Sequence, residues 1–197
     1  MEGENPVVAQ IDDPVSLATE LARFIKALQK IDTSGAPLSS RGIPLIGRDA
    51  DTRSSIAELD GMVDASAVTN AWEFALDLAP WSGPSVWIHG DLSPGNLLVL
   101  HGRLEAVIDF GSLEIGDPCS DLIIAWNLLP VSARESFKTE MQVDDPTWKR
   151  GRGLALSIAL IQLPYYAHRN PKLAENAHHV IHEVLADHGE ENETKRS

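Results

Sequence analysis

Apolar residues recur at helical spacing soon after the chain begins. Leu17, Leu21, Phe24, Ile25 and Leu28 fall on one face of a helix and predict a single buried stripe. Asp12-Asp13-Pro14 in front of them reads as the helix start: a carboxylate to accept from the free N–H groups, then proline in the first turn. Ser34-Gly35-Ala36-Pro37 breaks the pattern, and Leu38 to Arg48 reads as an extended loop. Two more helices are predicted, about Asp49 to Met62 and Asp64 to Leu78. Each opens near an aspartate, and Gly61 marks the break between them.

At Pro80 the pattern changes. Val86-Trp87-Ile88 is a short apolar strand, followed by the polar stretch His89-Gly90-Asp91-Leu92-Ser93-Pro94-Gly95-Asn96. Leu97 to Leu100 and Arg103 to Ile108 are β-like runs separated by His101-Gly102, which predicts a hairpin. After Asp109-Phe110-Gly111 helical spacing returns, about Pro118 to Leu129, Ser132 to Met141, Pro146 to Ala167 and Pro171 to Asp187. Pro164 is expected to kink the third of these. From His188 onward the residues are polar and predict a frayed tail. The fold class is therefore α+β and mostly helical, with one small β-hairpin mid-chain. Residues 1–187 form the body and 188–197 a flexible polar tail.

Composition narrows the partners. At 197 residues and 43% hydrophobic, the chain has enough apolar material for a sizeable core. Its net charge of -13 repels a phosphate backbone and an anionic bilayer surface, so neither nucleic acid nor membrane is expected as a partner. The excess is what an ordinary soluble acidic surface shows; it would also attract a cationic small molecule. Cys119, the only cysteine, has no basic neighbour in sequence and reads as a small buried residue. The start Met1-Glu2-Gly3-Glu4-Asn5 is unlike a signal peptide, and the longest apolar stretch, Leu154 to Leu163, is too short to span a bilayer. A cytoplasmic location follows as the simplest expectation.

The chemistry sits at the two ends of the hairpin. His89-x-Asp91-x-x-x-x-Asn96 precedes it and Asp109-Phe110-Gly111 follows it. A hairpin returns the chain to its start, so Asn96 and Asp109 are expected side by side at its open end. Two oxygen ligands there, with Asp91 nearby, suit Mg2+, which takes few protein ligands and shares the rest with phosphates and water. Asp91 would then face the hydroxyl that attacks a γ-phosphate. Singly these are ordinary residues: His89 a hydrogen-bonded loop histidine, Asp91 and Asn96 turn formers. Together they match the kinase catalytic loop and DFG segment, a coincidence expected by usage in roughly one chain in a hundred thousand. Asp117-Pro118 is also an ordinary helix start. His178 and His182 lie one turn apart, but without H-E-x-x-H they read as a solvated helix face.

The run V-W-I-H-G-D-L-S-P-G-N (86–96) resembles the catalytic loop of the aminoglycoside phosphotransferase and choline kinase group. Ile108-Asp109-Phe110-Gly111, Gly116-Asp117-Pro118 and Asp121-Leu122 resemble the same group, and the likeness to the aminoglycoside phosphotransferase family extends from Glu2 to about Asp187. The resemblance implies the C-terminal lobe of a protein-kinase-like fold. It implies Asp91 as catalytic base, Asn96 and Asp109 as Mg2+ ligands, and ATP (or GTP) as donor. It also implies His89 bracing the loop and Asp121 tying the loop backbone to the next helix.

Gly90 stands where protein kinases carry the arginine of H-R-D, and no A-P-E follows, which argues against switching by loop phosphorylation. No glycine-rich loop precedes Asp91, and Lys26 and Lys30 lie on a helix rather than a strand. The nucleotide-gripping N-terminal lobe is therefore expected to be absent, leaving an apolar interface that would promote self-association. The expected function is phosphoryl transfer to a hydroxyl of a small molecule, weak or absent in this chain alone. Aminoglycoside, macrolide, amino sugar, choline-like and homoserine-like acceptors all fit, so the family's link to antibiotic resistance does not fix the acceptor. The alternatives are a non-catalytic remnant binding a cationic ligand or a partner protein, and metal-dependent phosphoester hydrolysis. The latter lacks the further His and Asp ligands of a two-metal site.

Overall fold

The computed structural model describes residues 3–7, 11–36 and 44–194. The chain divides into two units, Met1–Ile43 with Trp81–Gly151 and Pro44–Pro80 with Arg152–Ser197.

The first unit is built on helix α1 (Pro14–Gln29), capped as its sequence predicts: the Asp13 carboxylate accepts from Ser16 N–H at 2.9 Å. Leu17, Ala18, Leu21, Ala22, Ile25 and Leu28 are buried along one face, and α1 packs chiefly against α5 (Val131–Met141). Phe24, expected in the same stripe, is only half-buried and meets the ring of Phe110 edge-on at 6.3 Å. The hairpin forms from β2 (Leu97–Leu100) and β3 (Arg103–Val107), with Leu97 opposite Val107. His101 and Gly102 turn it with φ of 50° and 75°, the twist a tight antiparallel turn requires. Glu20 anchors the turn to α1 by pairing with Arg103 and accepting from Leu104 N–H at 2.7 Å. That carboxyl is held below its usual range: burial opposes, but the bonds and charge of Arg103, the Leu104 N–H and the charge of Arg23 outweigh it.

Strand β1 (Val86–Ile88) pairs antiparallel with β4 (Glu114–Gly116), Trp87 opposite Ile115. This second two-stranded sheet was not expected. β4 is three residues long and carries no alternation that a sequence pattern can detect. It matters because β1 leads into His89 while β4 leads into Asp117.

The stretch expected as a helix from Pro118 to Leu129 differs. Pro118–Ile123 is a 3-10 helix, every residue of it buried, and only Ile124–Asn127 (α4) makes an α-helical turn. Asp117 sets the tighter winding by accepting from Cys119 N–H, two residues on, at 2.9 Å. Helix α6 (Asp145–Tyr166) begins in this unit and continues in the second.

The second unit contains α2 (Asp49–Glu58), α3 (Ala65–Leu76), the remainder of α6, and α7 (Pro171–Thr194). Of the loop expected from Leu38 to Arg48, residues 38–43 lie outside the described ones and Leu45–Arg48 is a 3-10 turn leading directly into α2. Asp64 caps α3 by accepting from Ala67 N–H at 2.9 Å, and Gly61 takes φ 77° at the break before it. Arg48 Nε donates to the Ser157 hydroxyl at 2.9 Å, and Thr52 and Ser157 hydroxyls lie 2.7 Å apart, so this buried polar cluster is satisfied internally. Gly153 allows α6 to press against α3: a Cβ there would lie 2.4 Å from Ala75 Cβ.

α6 runs through Pro164 and ends two residues later, at Tyr166. α7 continues to Thr194, past the point where a frayed tail was expected. The Phe74 and His188 rings lie 5.1 Å apart, and Arg152 donates to Glu191 at 2.8 Å, so side chains beyond Asp187 have partners in this unit. His178 and His182 are exposed on α7, as a solvated face requires.

Candidate active site

β1 delivers the chain into the loop His89–Asn96, and the hairpin returns it to Asp109. Ile108 N–H donates to the Asn96 carbonyl at 2.9 Å, closing the ladder at its open end and setting Asp109 one residue beyond Asn96's partner. The juxtaposition expected from the hairpin is therefore present in the backbone. Asn96 turns its amide toward the loop interior, with Nδ2 2.7 Å from the Asp91 carbonyl and 3.2 Å from Asp91 Oδ2. Both N–H groups face Asp91, which leaves Asn96 Oδ1 as the atom free to accept or ligate.

Asp109 adopts the left-handed conformation, φ 59° and ψ 66°, which aspartate tolerates better than most residues. Its carboxylate reaches Gly111 N–H at 3.3 Å, starting a single 3-10 turn, Phe110–Ser112. Phe110 then lies against His89, ring centroids 4.9 Å apart, and against Phe24 of α1. His89 is fully buried, and its Nε2 sits 3.0 Å from the Ile108 carbonyl. That histidine thus spans from one motif to the backbone of the other.

Asp121 is also fully buried. One carboxylate oxygen accepts from His89 N–H at 2.8 Å and the other from Gly90 N–H at 3.0 Å. Burial pushes its pKa up, and the two backbone bonds offset only part of that. Gly90 has φ 77°, and a Cβ there would lie 2.5 Å from the Ser112 carbonyl. Only glycine fits where the two loops touch.

Sequence reasoning missed three contributors. Asn5 donates from one amide nitrogen to the carbonyls of Gly95 and Leu97, each at 2.9 Å, and Pro94 at 3.4 Å, bracketing Asn96. Glu4 exchanges both backbone bonds with Val99, which brings Asn5 there. Arg150 binds the Asp117 carboxylate with two nitrogens. No local pattern announces any of the three, because each partner lies far away in sequence. Asp117-Pro118 was legible as a helix start, but not what holds it. Cys119 is buried as expected, and burial and the Asp117 charge push its thiol pKa well up, leaving it an unreactive thiol.

The donor set, an amide oxygen and carboxylates, suits a hard cation. Among the described residues no group of three or more His, Cys, Asp or Glu gathers tightly enough to hold a metal by itself. A cation completed by phosphate and water, as Mg2+ ordinarily is, needs no such group.

Residues 1–154 match the model of the phosphotransferase enzyme family, APH. This chain belongs to that family. An aminoglycoside 3'-phosphotransferase of Escherichia coli is 32% identical over 127 residues, 60% of this chain and 45% of the relative. The chain thus spans about half the length of the curated relatives it matches. Among solved structures, the GDP and kanamycin complex of an APH(2") enzyme superposes with TM-score 0.67, covering 94% of this chain and 69% of that one at 18% identity. A macrolide 2'-phosphotransferase from Brachybacterium faecium gives TM-score 0.57, covering 91% and 67% at 24% identity. These likenesses fix the kinase-like fold. Among the described residues no helix is long and apolar enough to cross a membrane.

Proposed function

We propose that these residues form the acceptor-activating and metal-holding part of a phosphotransferase that uses ATP or GTP to phosphorylate a hydroxyl of a small molecule. The observation that carries this reading is the closed hairpin end. Ile108 N–H bonds the Asn96 carbonyl and Asn96 Nδ2 bonds the Asp91 carbonyl, contacts that support assigning Asp91, Asn96 and Asp109 to one site.

In this reading Asp91 orients the acceptor hydroxyl and takes its proton, its own carboxylate steadied by the Asn96 amide. Asn96 Oδ1 and Asp109 would hold Mg2+, which when bound would neutralise the phosphate oxygens. His89 and Asp121 keep the loop backbone in place, so little reorganisation is needed at the moment of transfer. Relatives that act on aminoglycosides support an amino-sugar acceptor, and the acidic balance of this chain favours a cationic one. Residues 1–187 act, in the same reading, as the acceptor-side lobe.

Lys26 is engaged with the Glu140 carbonyl at 2.6 Å and with Gln142, and Lys30 ends α1, so neither serves as a phosphate-pairing lysine. Slow turnover by these 197 residues alone is the expected result. The test measures nucleotide-dependent phosphorylation across aminoglycosides, amino sugars, macrolides and small alcohols, with an Asp91→Ala control. Transfer that disappears in the control supports the reading. Tight, nucleotide-independent binding of a cationic ligand with no transfer, unchanged in the control, replaces it with a non-catalytic binding role.

A further inference from the structure

A relay of ionic and backbone contacts leads from α6 to the loop that carries Asp91. Arg150 is buried, 5% exposed, and grips Asp117 with Nε at 2.8 Å and a terminal nitrogen at 3.3 Å. That terminal nitrogen also donates to the Thr147 hydroxyl at 3.0 Å, and the guanidinium lies 5.7 Å from the Trp81 ring centroid. Asp117 is in turn the N-cap of the 3-10 helix Pro118–Ile123, and four residues on that helix presents Asp121 to His89 and Gly90. Gly151, beside Arg150, allows the close approach: a Cβ there would lie 2.9 Å from Leu122 Cβ and 3.2 Å from the Cys119 carbonyl.

We propose that Arg150 is a positioning residue for the phosphoryl-transfer site, acting through Asp117 to fix Asp121 and thereby the backbone that aims Asp91. The inference rests on the functional reading above for its purpose, but its geometry is testable without any turnover. A two-pronged guanidinium holds a carboxylate in both position and rotation, which a lysine, a point charge, does not. Removing the rotation lets the 3-10 helix shift, and the first bonds to loosen are those from Asp121 to the His89 and Gly90 amides. Those amides lie at the start of the catalytic loop, so their loosening disperses the Asp91 carboxylate over unproductive poses.

The experiment compares amide hydrogen exchange in the wild-type chain, Arg150→Lys, Asp117→Asn, Asp121→Asn and the double variant Arg150→Lys/Asp121→Asn, without nucleotide or acceptor. Arg150→Lys and Asp117→Asn are expected to speed exchange at His89 and Gly90 by about tenfold, while the α1 core amides of Leu21 and Ile25 stay unchanged. In the double variant, Arg150→Lys is expected to add nothing further at Gly90, because the link it acts through is gone. Unchanged exchange at His89 and Gly90 overturns the proposal. So does a rise spread equally through α1, which would mark a purely structural ion pair. An independent rise on top of Asp121→Asn overturns it too. Where phosphorylation is measurable, Arg150→Lys should lower kcat with KM unchanged; a rise in KM alone counts against a positioning role. A chain that shows no transfer but does show the local exchange pattern would end the functional reading and leave the relay standing.

Discussion

Two arginines, two residues apart on α6, make a useful comparison. Arg150 and Arg152 are buried to nearly the same degree, 5% and 6% exposed, and each reaches a carboxylate at 2.8 Å. Their partners differ in kind. Glu191 is a side chain on a long helix, and Arg152 reaches it with one terminal nitrogen that also lies 3.4 Å from His188 Nδ1. Asp117 is a backbone-organising residue: it holds Cys119 N–H and starts the segment that bonds the His89–Asn96 loop. In the proposed relay the first unit's ion pair leads on to a loop, whereas the second unit's joins a side chain near a helix end. Burial and distance do not distinguish them; what the carboxylate does next does.

The comparison breaks most visibly at the site itself. Asp91→Ala should lower transfer by roughly a hundredfold or more, the ordinary cost of losing a positioned general base, with the fold intact by circular dichroism. If Asp91→Ala retains wild-type turnover, the first unit's relay has nothing to aim. Asp109→Ala is expected to give a loss of similar size and to weaken Mn2+ binding in the presence of nucleotide, read by electron paramagnetic resonance.

Glu191→Gln sharpens the other side. It leaves Arg152 buried without its charged partner and should cost about 2 kcal/mol of stability by urea denaturation. Turnover at saturating acceptor should stay within about twofold of wild type, since independent sites contribute additively. A large drop in kcat without unfolding would dissolve the distinction between the two pairs.

The smallest expected effect is a pair of opposite pH slopes. Asp121 has a raised pKa, so its proton binds more readily in the folded chain, and its contribution favours the fold at low pH and is lost as pH climbs through the raised value. Glu20 has a lowered pKa, so its contribution is present above the ordinary glutamate value of about 4.3 and is lost as pH falls below it. As pH rises from acid to neutral, Asp121→Asn should gain stability relative to wild type, while Glu20→Gln should lose it. Denaturation midpoints across that range check both signs, and parallel curves would contradict the burial argument for Asp121.

Much of the candidate site was legible in the sequence. His89, Asp91, Asn96 and Asp109 announce themselves by spacing, and a hairpin is among the few local patterns that guarantee return of the chain. The α1 cap and the apolar stripe were legible for a related reason: helical periodicity is a local property, and only Phe24 left the stripe to meet Phe110. What was illegible depends on partners distant in sequence. Asn5 bonds carbonyls at the far end of the His89–Asn96 loop, and Arg150 reaches back to Asp117. β4 is too short for a pattern, and the 3-10 winding after Asp117 follows from its carboxylate bond to Cys119 N–H, which the sequence does not distinguish from an ordinary helix cap. The end of α7 looked like a tail because the ring of Phe74 and the charge of Arg152 are invisible from its own composition.

The contact between Gly90 and the Ser112 carbonyl has a consequence for how this sequence can vary. At a position with φ 77° and backbone 2.5 Å from where a side chain would begin, the obstacle cannot rotate aside as a flexible side chain would. A saturation library at codon 90, selected for function, should return glycine alone. Arginine in particular, whose Cβ the Ser112 carbonyl already excludes, should be missing from that library.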